Sequence, residues 1–170
     1  AIKNSLLRLL HIGTTRRHEA TIKDCHYNLL TKTDITIQEL VELAKEGSVI
    51  HIPAGTHEGV INLTKSITLM GADRDTTILT AKADAPLIHV PRKLDVALQS
   101  LTLKSQVETS ERSDPPGCAI LAKDSKLIVR DCAIVALGST TRCPLGVYVQ
   151  GFAEVQLLGS HFEGYDYPIL

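Results

Sequence analysis

Gly47-Ser48-Val49-Ile50-His51-Ile52-Pro53-Ala54-Gly55-Thr56-His57-Glu58-Gly59-Val60-Ile61-Asn62-Leu63-Thr64-Lys65-Ser66-Ile67-Thr68-Leu69-Met70-Gly71 is the stretch that decides the fold. It packs three short β-branched or leucine-bearing runs between turn residues, with no helical pattern separating them. Strands this close in sequence require each run to end in a sharp corner from which the next begins at once, as in the coils of a solenoid. Alternation puts Ile50 and Ile52 on one face and His51 on the other.

Upstream, Thr36-Ile37-Gln38-Glu39 has the form of a capping box, in which the hydroxyl accepts from the Glu39 amide and the carboxylate reaches back to the Thr36 amide. Ile37, Leu40, Val41 and Ala44 recur at helical spacing and Gly47 supplies a stop, so a helix is expected from about 37 to 46. Its expected role is to cover the open end of the first coil. Residues 1–34 lack the strand-and-corner texture and are read as a lead-in, partly helical through Ile2, Leu6, Leu7, Leu9 and Leu10, ahead of a domain spanning 35–170.

Downstream, four segments align on one alternating pattern: Thr64 to Leu69, Leu98 to Leu103, Val129 to Ile134 and Leu157 to Phe162. Their last apolar residues are 34, 31 and 28 residues apart, room for three short strands with corners in each repeat. Unequal periods imply loops of different length on a constant core. The expectation is an all-β solenoid of about four coils with an N-terminal capping helix. An antiparallel sandwich is the structural rival, whereas a doubly wound α/β fold lacks the helices it needs.

The 170 residues are 44% apolar with a formal net charge of -1, which suits one soluble domain. No basic excess is present to neutralise phosphates, so neither nucleic acid nor a membrane is an expected partner. Cys25, Cys118, Cys132 and Cys143 stand far apart without zinc-site spacing, and buried thiols are their ordinary state. The apolar run near Ala1 is too short and interrupted for a signal or membrane span, so a cytoplasmic location is the default expectation.

The run Val49 to Ile61, followed by Lys65 to Gly71 and Thr76-Thr77-Ile78-Leu79, resembles the opening coils of right-handed parallel β-helix proteins of the pectin lyase-like superfamily. The resemblance is good over residues 36–80 and looser to Leu170. It implies a right-handed parallel β-helix and says little of activity, since that superfamily holds lyases, esterases, glycosidases and non-catalytic binding modules. Its catalytic patterns do not transfer. Asp124 and Asp131 are an odd interval apart, and within one strand would face opposite ways, although a corner between them would realign them. The paired aspartates of the hydrolases have only Asp131 as a counterpart. Gln99, Gln150 and Gln156 lack the aspartates that accompany such glutamines in esterases.

Two stretches interrupt the repeat, Ser105 to Gly117 and Gly138 to Gly146, and both follow the aligned segment in successive coils. Stacking is expected to bring them out side by side. Within them Arg112, Asp114 and Arg142 have the paired hydrogen-bonding capacity to hold a carboxylate or polar partner, against the plainer reading of solvated surface charge. Cys143 beside Arg142 reads as a reactive thiol or an ordinary loop cysteine. The aromatic residues gather late in the chain, at Tyr148, Phe152, Phe162, Tyr165 and Tyr167, with Tyr27 the exception. Tyr148, Tyr165 and Tyr167 suit stacking on a sugar or anchoring a protein, with core filling as the alternative. His51, His57 and His89 read as solvated side chains, and no metal or cofactor is expected. Tyr167-Pro168-Ile169-Leu170 reads as the start of a further strand, a surface suited to self-association. The expected function is a non-catalytic recognition or scaffold module for a protein or glycan, the alternative being a lyase, hydrolase or esterase acting on uronate-containing glycans.

Overall fold

The computed structural model describes residues 26–28, 35–82, 85–106, 118–137, 145–165 and 167–170. They form one helix, α1 (Ile37–Leu43), and the strands β1 (His26–Asn28), β2 (Val49–Ile52), β3 (Gly55–Glu58), β4 (Ile61–Asn62), β5 (Thr68–Gly71), β6 (Thr77–Lys82), β7 (Ile88–Val90), β8 (Asp95–Gln99), β9 (Thr102–Gln106), β10 (Cys118–Lys123), β11 (Lys126–Arg130), β12 (Ala133–Ala136), β13 (Leu145–Gln150), β14 (Glu154–Leu158), β15 (His161–Glu163) and β16 (Tyr167–Ile169). Every pairing is parallel. Sheet I runs β1-β2-β5-β8-β11-β14, sheet II β3-β6-β9-β12-β15, and sheet III β4-β7-β10-β13-β16. From β2 onward the chain visits I, II and III in turn, so three consecutive strands make a rung and each strand pairs with those three places away. The arrangement is compatible with a parallel β-helix, and the parallel pairing does not fit the antiparallel sandwich.

Register explains why this sequence builds it. In sheet I, Tyr27, Ile50, Leu69, Leu98, Val129 and Leu157 are successive partners. In sheet III the column is Ile61, Ile88, Ile120, Val147 and Ile169, and in sheet II it is Leu79, Leu103, Ile134 and Phe162. Ile50, Leu69, Leu98, Val129, Leu79, Leu103, Ile134, Ile88, Ile120 and Val147 are fully buried. Removing a β-branched or leucine side chain from water at every second position is what drives strands this short to stack. Truncating one such leucine to alanine costs about 2–5 kcal/mol.

These columns correct the sequence alignment. Leu103, Ile134 and Phe162 do share a register in sheet II, but Leu69 lies in sheet I opposite Leu98, and Leu79 is the true counterpart of Leu103. The offset fails because the first sheet II strand, Gly55–Glu58, carries no aliphatic marker and the second is reached through a long corner at 72–76. Restoring it gives five complete rungs where about four were expected.

The helix caps the first rung as expected, and Thr36 and Glu39 form the reciprocal capping box. It ends at Leu43, earlier than the expected 46, because Ala44 is already extended. Lys65 accounts for this: its Nζ donates to the Glu42 and Ala44 carbonyls at 2.7 and 2.6 Å, satisfying acceptors that a further turn would otherwise use. Two further clamps hold the helix segment. The Gln38 amide takes both backbone groups of Asn62, at 2.8 and 3.3 Å, and the Glu46 carboxylate accepts from the Ser66 amide at 2.9 Å. Ile37, Leu40 and Val41 face the core. The stretch expected as a separate lead-in contributes β1, which extends sheet I; its remaining residues lie outside the described ones.

Candidate functional site

The three kinds of corner differ in length. Between sheets I and II two residues intervene in four of the five rungs. Three of them are tight turns through a left-handed residue, Ser100, Asp131 or Gly159, followed by Leu101, Cys132 or Ser160, and the fourth is Pro53-Ala54. Their backbone groups bond from rung to rung: Ser100 donates to Arg130, Asp131 to Leu158, Ala133 to Leu101 and His161 to Cys132. Asp131 also takes Arg74 Nη1 at 3.0 Å across two rungs. The lone counterpart of the hydrolases' paired aspartates is thus a corner residue paired with an arginine. Asp124 is likewise a left-handed corner residue at the other end of β11, between sheets III and I, with its carboxylate on Arg92 Nε at 2.7 Å and on the Phe152 amide at 2.9 Å.

Between sheets II and III the intervening stretches hold two, five, eleven, eight and three residues. The two longest, 107–117 and 137–144, correspond to the interruptions expected at 105–117 and 138–146, of which Ser105 and Gln106 belong to β9 and Leu145 and Gly146 to β13. They leave from β9 and β12, which are paired, and return to β10 and β13, which are also paired, so their roots are adjacent. Arg112, Asp114, Arg142 and Cys143 lie outside the described residues.

What the loops return to is chemically distinct from the core. Cys118, Leu121 and Leu145 form a second buried apolar cluster, against which Tyr148 packs half-buried. Leu121 and Tyr148 are register partners, on the face of sheet III opposite Ile120 and Val147. Tyr167 lies on the next rung opposite Leu145 and is 54% exposed. Tyr148 and Tyr167 therefore flank the return points of the loops. Tyr165 is committed inward. Its hydroxyl lies 2.8 Å from Ser105 Oγ, its ring meets Phe162 edge-on at 6.4 Å, and burial pushes its pKa up to about 12. Gly146 holds this corner closed, since any side chain there would strike the Pro168 carbonyl and the Phe162 ring.

Burial pushes the Cys118 thiol up to about 12, which keeps it protonated and removes it as a nucleophile near neutrality. His89 shares an outward column with Asn62 and Leu121, and burial, with Lys123 nearby, lowers its pKa. His57 departs from its expected solvated state. It takes the inward register position opposite Leu79, and its Nε2 lies 3.0 Å from the Pro53 carbonyl beside a cleft under α1. His51 faces outward beside Met70 as alternation requires. Among the described residues no group of three or more His, Cys, Asp and Glu is arranged to hold a metal, and no helix is long and apolar enough to cross a membrane.

Sequence reasoning singled out the loops and the tyrosines, placed Ser105 and Leu145 in the interruptions rather than in β9 and β13, and passed over Leu121. The signal for Leu121 was present: Ala119-Ile120-Leu121-Ala122 is apolar at consecutive positions, which marks a strand covered on both faces. Compared with family models, with curated proteins and with solved structures, the chain matches none.

Proposed function

We propose that this chain is a right-handed parallel β-helix of the pectin lyase-like kind that serves as a non-catalytic recognition or scaffold module, binding a glycan or a protein at its II-to-III corners. The observation that carries the reading is the adjacency of the two long loop roots on paired strands, beside Tyr148 and Tyr167. Stacked strands hold such a surface with little freedom left to lose on binding, and tyrosine offers a flat apolar face with a polar tip to a sugar ring or a side chain. Right-handed crossover between parallel strands is the general rule, which supports the handedness. The carboxylates with catalytic precedent in the resembled superfamily, Asp124 and Asp131, are engaged by Arg92 and Arg74.

The test is a glycan array, uronate oligosaccharides included, probed with the native chain and with the double variant Arg112→Ala/Arg142→Ala. The expected result is loss of array signal at an unchanged thermal midpoint. Native signal in the double variant removes the loop arginines from the surface. Unsaturated or reducing-end products from uronate glycans, with or without Ca2+, sink the non-catalytic reading.

A further inference from the structure

At the far end of sheet III, Phe152 stands 98% exposed, the most exposed of the large apolar side chains among the described residues. It occupies the corner between β13 and β14. Register shows how it is displaced. Lys123 pairs with Gln150 and Lys126 with Glu154, so two residues join β10 to β11 where three join β13 to β14. The longer corner bulges outward and its middle residue is Phe152.

Its position is fixed rather than loose. Asp124 Oδ1 accepts from the Phe152 amide at 2.9 Å, while Asp124 Oδ2 is held by Arg92 Nε at 2.7 Å. Gly151, at φ +73°, is the one residue type that fits beneath, because any Cβ there would collide with the Asp124 carboxylate. The Lys93 amide donates to the Asp124 carbonyl and the Asp124 amide to the Gln150 carbonyl, so three successive corners are tied together. A phenylalanine presented on a locked turn has its backbone ordered before any partner arrives, which leaves only its side-chain rotamers to be fixed on binding.

The surroundings give the partner a sign. Arg92, Lys93, Lys123 and Lys126 line the same stack of corners. Arg92 is engaged by Asp124 and Lys126 by Glu154 at 3.7 Å, whereas Lys93 and Lys123 have no carboxylate partner among the described residues. With Asp95, Asp124 and Glu154 interleaved, the patch is too nearly balanced to act as the broad positive field that an anionic membrane responds to. It suits short-range pairing around a single apolar contact.

We propose that Phe152 is a preorganised anchor that docks this protein onto a partner protein, its ring entering an apolar recess rimmed by acidic side chains that meet Lys93 and Lys123. This surface is separate from the II-to-III corners, since the six residues of β13 set them roughly 20 Å apart. The anchor and its rim follow the usual anatomy of an energetic centre in an interface, an aromatic residue ringed by polar contacts.

The probe is a random dodecapeptide library displayed on phage and selected on the immobilised native chain, with the winning peptides synthesised and titrated by fluorescence anisotropy. Enrichment of Asp or Glu around Trp, Leu or Ile is expected. Phe152→Ala should weaken the selected peptides by about tenfold or more, and Lys93→Glu/Lys123→Glu by a comparable factor. Arg112→Ala/Arg142→Ala should leave them unchanged, which separates this surface from the loop-bearing one. Because Phe152 makes no buried contact, the thermal midpoint of Phe152→Ala serves as the folding control and should match the native one. Selected peptides that lack acidic residues, or that bind Phe152→Ala as well as native protein, overturn the proposal. Phe152-dependent binding to phosphatidylserine vesicles but not to phosphatidylcholine vesicles would overturn it in favour of a membrane.

Discussion

The corners between sheets I and II and those between sheets II and III are built from the same chain on the same rungs, yet they obey opposite rules. The first kind keeps two residues in four rungs of five, in three of these places a left-handed residue first, and buries Leu101 and Cys132 second. Its amides and carbonyls are spent on neighbouring rungs, so length and conformation are fixed by the hydrogen bonding of the stack. The second kind ranges from two to eleven residues while the strands on either side stay in register. A corner free to vary in length without disturbing its flanking strands is one where the chain can acquire surface at little cost to the core. The contrast is why the proposed binding surface is sought at the second kind of corner, on mechanical tolerance rather than on any single reactive residue.

Insertion gives the sharpest way to break this contrast. Two glycines placed between Asp131 and Cys132 should separate the Ala133–Leu101 and His161–Cys132 bonds and lower the thermal midpoint by about 10 °C, whereas the same pair between Thr140 and Thr141 should change it by about 2 °C or less. Equal losses at the two sites, read by differential scanning calorimetry, would erase the distinction between the corners. A smaller effect is expected from Asp131→Val. At φ 49° a β-branched residue is strained, and the carboxylate that holds Arg74 is lost, for about 1–3 kcal/mol by urea denaturation. Asp131→Gly, which relieves the backbone, should recover part of it.

Alkaline pH supplies the finest discrimination, because a thiol is buried in a corner of the first kind, Cys132, and another where a corner of the second kind enters β10, Cys118. Burial raises Cys132 to about 11 and Cys118 to about 12, and Tyr165 beside the latter also stands at about 12. Each folded pKa lies above its unfolded value, near 9 for the thiols and 10 for the phenol. The stability tied to these protons is therefore intact below pH 9 and lost as pH rises through 11 to 12. The thermal midpoint should fall over that window, and Cys118→Ala should flatten the fall more than Cys132→Ala does. A profile that stays flat to pH 11 in the native chain would show that these groups are not buried in solution.

How much of this was legible in advance depended on the marker available. The capping box at Thr36 was readable because both partners are local, and its geometry came out as the spacing required. Sheet II beyond the first rungs was readable because Leu103, Ile134 and Phe162 are aliphatic or aromatic at matching positions. The first rung was miscounted because its sheet II strand carries Gly55, Thr56, His57 and Glu58, and His57 faces in with no apolar signature to betray it. The helix end was misplaced because its stop comes from Lys65, in the distant corner between β4 and β5, which no local rule anticipates. Tyr165 and Tyr167 look alike in sequence, and the contact with Ser105, 60 positions away, is what separates a half-buried phenol from an exposed one.

The two bonds between the Gln38 side chain and Asn62 have a reach larger than their size. β4 is two residues long, and a strand so short has little of its own to prevent a slip by one position. Such a slip would turn Ile61 outward and Asn62 inward, and every later strand of sheet III takes its alignment from the one before. By occupying both the amide and the carbonyl of Asn62, a single glutamine on the cap serves as the datum from which the orientation of Ile88, Ile120, Val147 and Ile169 is counted.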